Sequence, residues 1–287
     1  MSGLLCMLYG ILGTAQNTGV ISQVTKVTTD WEEFALPRWS PSGDKLMFTA
    51  THDNAGIYVY DLDSKKINKV SDTPRIGYNA VWSSDTTIDF QEKKWSSDNT
   101  SFYEKKQIDI ATKKVKATGS ISKTQIMSAS SFQKGAKRIS EISAYINGEL
   151  QLVILENGEE RQLTDGNGQY YQPMLSPDQT KIVVHEGPNI WVIDLYGQQK
   201  LQRIGEGLAS SWTPDSKAVL TFQDESEDGH TVSGSELYQI DVATGKQAQL
   251  TTSDTIAETW PSLSPDGTRI AFSDEKTGSI YIADFKN

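Results

Sequence analysis

The chain of 287 residues has a single cysteine, Cys6, and only three histidines, His52, His185 and His230. One thiol excludes an internal disulfide framework and any site built from several thiolates. Long hydrophobic runs are missing as well. The most apolar stretch, Leu4 to Leu12, is about half of the roughly 20 residues that a membrane-spanning helix needs. Basic charge is scarce, with 27 Lys+Arg against 37 Asp+Glu and a net charge of −10, which argues against a protein that grips phosphate backbones. No Gly-x-Ser-x-Gly elbow occurs, so the serine-hydrolase arrangement that uses one is excluded. Helical periodicity is absent beyond two turns.

The apolar stretch at the start is followed by Gly13-Thr14-Ala15 and the polar pair Gln16-Asn17, the order of a secretory signal and its small-residue cleavage site. No Lys or Arg precedes it. The expectation is a signal peptide over 1–15 and one domain over 16–287, periplasmic or secreted and not transmembrane. Cys6 would leave with the signal, removing any cysteine nucleophile. Leu4-Leu5 ahead of Cys6 does not fit a lipidated cysteine.

Aromatic residues are plentiful, with 7 Trp, 11 Tyr and 8 Phe, and they recur in register. Pro261-Ser262-Leu263-Ser264-Pro265-Asp266-Gly267 leads into Ile270-Ala271-Phe272, and the same pattern stands at Pro37 to Phe48 and at Pro173 to Val184. Ser211-Trp212-Thr213-Pro214-Asp215 is a further copy; Val81-Trp82-Ser83-Ser84-Asp85 is weaker, and Ser130 to Gly135 weaker still. A second half recurs in step and ends on Asp61, Asp109, Glu156, Asp194, Asp241 and Asp284, spaced 48, 47, 38, 47 and 43 residues apart. Six units of that length match propeller blades of four strands each.

Every part of the unit has a local reason. The aromatic or Leu before Ser-Pro ends an inner strand and points between blades. Ser-Pro-Asp-Gly is turn chemistry, in which proline fixes φ, Asp closes the turn and Gly supplies a positive φ. The Ile-x-Phe run reads as a half-buried second strand, Ile-Tyr-x-x-Asp as a third, and Ala243-Thr244-Gly245 as a tight turn into a fourth. The sixth unit ends at its third strand, so the strand-like run Gly19 to Thr25 is expected to complete the last blade and close the ring. The fold class is all-β, a six-bladed propeller.

These motifs resemble the WD40-like repeat of the TolB-type six-bladed β-propellers over about residues 19–287. That resemblance implies a periplasmic protein-interaction module of the cell envelope. Related propellers precede serine-peptidase domains, and a few are lyases acting on acidic sugars. The family's α/β domain has no counterpart in the roughly 19 residues ahead of the first strand, and contacts made through it do not carry over.

The resemblance also implies that loops from fourth to first strands and from second to third strands gather around one channel mouth. Trp31, Glu33, Arg75, Tyr78, Tyr170, Tyr171, His185, Glu258 and Trp260 are the ligand-binding candidates there, since aromatic and charged groups on a rigid ring suit a peptide or a glycan. Trp31, Tyr78 and Trp260 have the alternative of packing between blades. Asp224, Ser226, Asp228 and Gly229 match the start of a calcium loop, but its closing Glu falls one place late at Glu236, and a solvated hairpin tip is the favoured reading. No other cofactor and no catalytic residue is assigned. The three histidines would all fall in second-to-third-strand loops, as in a metal-dependent lyase, yet none forms a His-x-His or His-x-x-x-His pair. Residues 101–150 carry 9 basic and 4 acidic side chains, read as a lysine-rich solvated face. The expected partner of the monomer is an envelope protein or peptide, then a glycan, and not nucleic acid.

Overall fold

Six antiparallel four-stranded sheets succeed one another along the chain and stand around a central channel. The computed structural model describes residues 19–28, 32–52, 55–121, 126–127, 142–198, 200–226, 228 and 231–286. Blade 1 is Phe34–Trp39, Lys45–Ala50, Ile57–Asp61 and Lys66–Ser71, from the channel outward. Blade 2 follows as Val81–Ser84, Thr87–Trp95, Ser101–Asp109 and Val115–Ile121, and blade 3 as Ile126–Met127, Ile142–Ile146, Leu152–Glu156 and Glu159–Gln162. Blade 4 is Tyr170–Leu175, Lys181–Glu186, Asn189–Asp194 and Gln202–Glu206; blade 5 is Leu208–Trp212, Ala218–Glu225, Gly234–Asp241 and Gln247–Gln249. Blade 6 takes Glu258–Leu263, Arg269–Asp274 and Ser279–Lys286 from the end of the chain and Val20–Lys26 from its start.

The closure expected from the sequence is therefore present. Val20–Lys26 runs antiparallel to Ser279–Lys286, with Ile21 opposite Phe285 and Lys26 opposite Tyr281. Beyond the ladder, Ile280 N–H donates to Thr28 Oγ1 at 2.9 Å and Val27 N–H to the Ile280 carbonyl at 2.9 Å. Gly19 lies flat on the Phe285 ring, where a Cβ would come within 2.4 Å. The pairing removes the open edge that blade 6 would otherwise present.

The repeat residues do the work that their types suggest. Ser176 and Ser264 donate to Asp178 and Asp266 two residues on, and each hydroxyl also accepts the backbone N–H that restarts the chain, at Lys181 and Arg269. Thr213 does the same with Asp215 and Ala218. The acids ending the third strands accept across the next turn: Asp61 from Ser64, Asp109 from Thr112 and Asp241 from Thr244. Gly43 and Gly267 take the positive φ of the Ser-Pro turns, but Gln179 and Ser216 hold the same position at φ 60° and 61°, so glycine is favoured there and not required.

The tryptophans join the blades. Trp39 Nε1 donates to the carbonyl of Ser262 at 2.9 Å, Trp82 Nε1 to Arg38 at 3.0 Å, and Trp212 Nε1 to Met174 at 3.1 Å. Each bond runs from the end of one inner strand to the inner strand of the preceding blade. Second strands such as those of blades 1, 4 and 6 differ from expectation. Lys45–Ala50 is buried at five of its six residues instead of alternating, because neighbouring blades cover both faces of a middle strand. Alternation of burial appears instead in strands such as Thr87–Trp95 and Gly234–Asp241. The weakest repeat unit, Ser130 to Gly135, lies outside the described residues.

Within the lysine-rich region, residues 101–121 form the third strand and the outer edge of blade 2. Lys106 pairs with Glu92 at 2.5 Å and Glu104 at 3.0 Å, and residues 111–120 are exposed, which fits a solvated face.

Removing residues 19–26 is expected to lower the melting temperature sharply, since it uncovers Phe285 and opens the ring; calorimetry showing an unchanged transition would contradict the closure. Trp212→Phe keeps most of the packing but orphans the Met174 carbonyl, a loss of about 1–3 kcal/mol readable by urea denaturation at constant m-value.

Candidate functional site

The candidates taken from the sequence divide between the channel and the core. Trp31 lies outside the described residues. Glu33 is exposed in the segment entering blade 1, where its carbonyl accepts from Thr51 N–H. Arg75 is exposed in the segment between blades 1 and 2 with φ 61°. Tyr170 is not at a loop: it starts the inner strand of blade 4, 8% exposed, and packs in the core shared by blades 3 and 4. His185 departs from expectation in the same way. It belongs to the second strand of blade 4 and is 0% exposed, and its Nε2 accepts Ala209 N–H of blade 5 at 3.0 Å. Burial, partly countered by the nearby Gln172 and Tyr171 backbone, lowers its pKa to about 4, so the ring is neutral and ties two blades together. His52 is exposed after the second strand of blade 1, and His230 lies outside the described residues. Among the described residues no three His, Cys, Asp or Glu side chains come together as a metal would require.

The acidic hairpin of blade 5 is engaged internally. Asp224 sits in the ladder opposite Ser235, Ser226 donates to Asp228, and Asp228 accepts both the N–H and the hydroxyl of Thr231 at 2.7 and 3.0 Å.

Tyr78, Tyr171 and Trp260 do meet at the channel. Tyr78 leaves the segment before blade 2 and reaches over the axis: its ring is edge-on to Trp260 of blade 6 at 6.3 Å, and its Oη is 3.4 Å from Gln172 Oε1 of blade 4. Trp260 also packs against Phe222 of blade 5, and Tyr171 stacks on His185 at 5.2 Å while donating to the Gly187 carbonyl. Tyr78 and Tyr171 remain 40% and 39% exposed, so both offer ring surface at the mouth.

Three inner strands bend to allow this. Leu36, Gln172 and Trp260 have φ of 59°, 46° and 54°, each directly before a proline and each within a register shift of its ladder. Proline has no N–H to donate, so it suits a channel-lining strand that has no further neighbour. A left-handed non-glycine residue costs about 1–3 kcal/mol, and such strain collects where a side chain is being re-aimed.

Glu258 begins the inner strand of blade 6 and is 3% exposed, with Oε2 unpartnered among the described residues. Burial, with the charges of Glu236 and Asp274 adding to it against Lys276, raises its pKa to about 7. It is a buried acid at the start of the inner strand of blade 6.

One group at the site did not come from the sequence. Arg38, the variable residue of Pro37-Arg38-Trp39-Ser40-Pro41, enters the channel from blade 1. With Val81, Met174, Ser211 and Ser262, its counterparts in blades 2, 4, 5 and 6, it lines a cavity of about 100 Å³. Trp39, Trp82 and Trp212 complete the wall, and Pro41 and Pro265 of the Ser-Pro turns border it, so the cavity lies at the opposite end from the expected mouth. Arg38 donates to the carbonyls of Gly77, Tyr78 and Ala80, which fixes the segment that carries Tyr78. A charged side chain in an inner strand was the available signal.

Comparison with known proteins supports the fold. No family model matches, and no curated protein matches. Among solved structures, oligogalacturonate lyase from Vibrio parahaemolyticus aligns over 92% of this chain and 93% of its own at 13% identity and a TM-score of 0.50. TolB from Acinetobacter baumannii aligns over 88% of this chain and 63% of its own, at 13% identity and a TM-score of 0.53. A protein assigned as TolB from Agrobacterium tumefaciens aligns over 94% and 99%, at 16% identity and a TM-score of 0.55. At these identities the likeness is one of fold, a six-bladed all-β propeller.

The two shifted groups oppose each other in solution. Glu258, raised from 4.5 to about 7, binds its proton more tightly when folded, so its contribution falls as pH rises across that window. His185, lowered from 6.5 to about 4, contributes stability that falls as pH drops through its own window. Glu258→Gln should therefore raise stability at pH 8 more than at pH 5 in urea titrations, and an equal change at both would place the Glu258 pKa near its unfolded value.

Proposed function

Starting from the all-β propeller with aromatic rings across its channel mouth, we propose that the chain is a non-catalytic binding module that takes a protein or peptide segment of the cell envelope. Exposed Tyr78 and Tyr171 around Trp260 carry the reading. They provide flat amphipathic contact surface, and the closed ring holds them so that binding orders little. The apolar segment at 4–12 with its small-residue site supports a periplasmic or secreted location, and the likeness in fold to TolB structures supports a protein partner. Among the described residues no helix is long and apolar enough to cross a membrane.

The competing reading is a metal-dependent lyase or hydrolase acting on an acidic sugar, or a propeller that binds a glycan. It draws on the fold shared with oligogalacturonate lyase and on a guanidinium in the channel. The neutral, core-bound His185, with exposed His52 on another blade, weighs against the metal-dependent form. Calcium at the Asp224–Asp228 hairpin is no part of the proposal; a calorimetric titration with Ca²⁺ measures it directly.

The immobilised propeller should retain a partner from envelope extract, and Tyr78→Ala with Tyr171→Ala should reduce retention at least tenfold with little change in melting temperature. Retention unaffected by the double substitution would place the interface elsewhere. Metal at one equivalent by elemental analysis, with cleavage of polygalacturonate, would replace the binding reading by the lyase.

A further inference from the structure

The mouth accounts for Tyr78, Tyr171 and Trp260, and the hold of Arg38 on the segment at 77–80 uses its hydrogen bonds but not its charge. A guanidinium has five N–H donors, and the bonds of Arg38 to Gly77, Tyr78 and Ala80 engage Nη1 twice and Nη2 once. Nε–H and one N–H of Nη2 have no partner among the described residues. No Asp or Glu lines the cavity, and no carboxylate pairs with Arg38 among the described residues. Backbone carbonyls satisfy donors but do not neutralise the charge, and a cation taken out of water without a counter-charge is costly.

We infer that the channel cavity is a carboxylate site in which Arg38 receives the terminal acid group of a ligand entering from the side of the Ser-Pro turns. Two unengaged N–H groups match the two oxygens of a carboxylate, the pairing for which arginine is suited over lysine. The Ser262 hydroxyl, also without a partner among the described residues, lines the same wall and supplies a further donor. The indoles of Trp39, Trp82 and Trp212 give the carbon atoms next to the acid an apolar enclosure. Their own N–H groups are committed to the neighbouring blade, so they contribute faces and edges and not donors. At about 100 Å³ the cavity is well above the roughly 10–15 Å³ that one water needs, which leaves room for a carboxylate group. Position is fixed as well as charge, because Trp82 holds the Arg38 carbonyl and three carbonyls hold its guanidinium.

The inference extends the binding reading to a second end of the same channel but does not need the ligand to be a peptide. The acid can come from a peptide C-terminus or from a uronic acid. Four probes separate these sources: acetate, N-acetyl-glycyl-glycine, its C-terminal amide, and galacturonic acid. They are titrated into the whole chain while the indole N–H signals of Trp39, Trp82 and Trp212 are followed by nitrogen-15 NMR.

The expected result is saturable movement of those signals, with the free-acid peptide binding at least tenfold more tightly than its amide. Arg38→Gln should abolish the preference. Because Arg38 also holds the segment at 77–80, Ser262→Leu provides a second variant, filling the cavity without touching the guanidinium and expected to weaken every acid probe at least tenfold. Equal binding of acid and amide, no movement of the three indoles, or a preference surviving in a folded Arg38→Gln variant would each overturn the assignment. Tight binding of galacturonic acid above the peptide would support the carboxylate site while removing the peptide from the proposed function. Loss of envelope retention without loss of acid binding would remove the proposed function and leave the site standing.

Discussion

An indole N–H donated to a carbonyl of the preceding blade is the contact on which the rest of the molecule depends. A four-stranded sheet of this size cannot bury its own faces, and middle strands such as Lys45–Ala50 and Lys181–Glu186 are buried on both sides, so a blade is stable only between two others. The bonds of Trp39, Trp82 and Trp212 set how closely those blades approach and at what depth their inner strands align. One of them closes the junction between blade 6 and blade 1, where the guanidinium of Arg269 also lies 4.7 Å over the Trp39 ring and donates to the Gly43 carbonyl. The ring is thus joined at its inner edge by side chains and at its outer edge by the Val20–Lys26 strand.

The channel inherits its shape from that inner edge. With the ends of the inner strands pinned, any irregularity must appear further along them, and it does so at Leu36, Gln172 and Trp260, each before a proline. Tyr78 then spans the gap between Trp260 and Gln172, while Arg38 grips the backbone beneath it. One end of the channel therefore presents Tyr78, Tyr171 and Trp260, while the cavity at the other end holds the guanidinium of Arg38.

The fold was legible because turns and cores have strict local requirements. Ser-Pro-Asp-Gly, the recurring aromatic and the terminal acid of each third strand are all there for backbone reasons, so their spacing reported the blades and the missing strand of the last one. The site was less legible for the same reason. A histidine such as His185 and a tyrosine such as Tyr170 look identical to mouth residues until the neighbouring blade is placed over them, and strand ends shift by one or two residues decide which. Arg38 escaped notice because it occupies the variable place in a motif read for its invariant ones. Charge in an inner strand, and not in a loop, carried the information about the channel.

Closing the ring with its first strand also sets the order of events in folding. Val20–Lys26 is synthesised before any blade exists and finds its partner only when Ser279–Lys286 arrives at the other end of the chain. Contacts so distant in sequence are formed late, after the chain entropy of a very long loop has been overcome. Until then blade 6 lacks its outer strand and Phe285 its cover, leaving an unpaired edge of the kind that recruits other chains. Folding of this propeller is accordingly a whole-chain event, with completion signalled by the burial of Phe285, and fragments ending before blade 6 remain open rings.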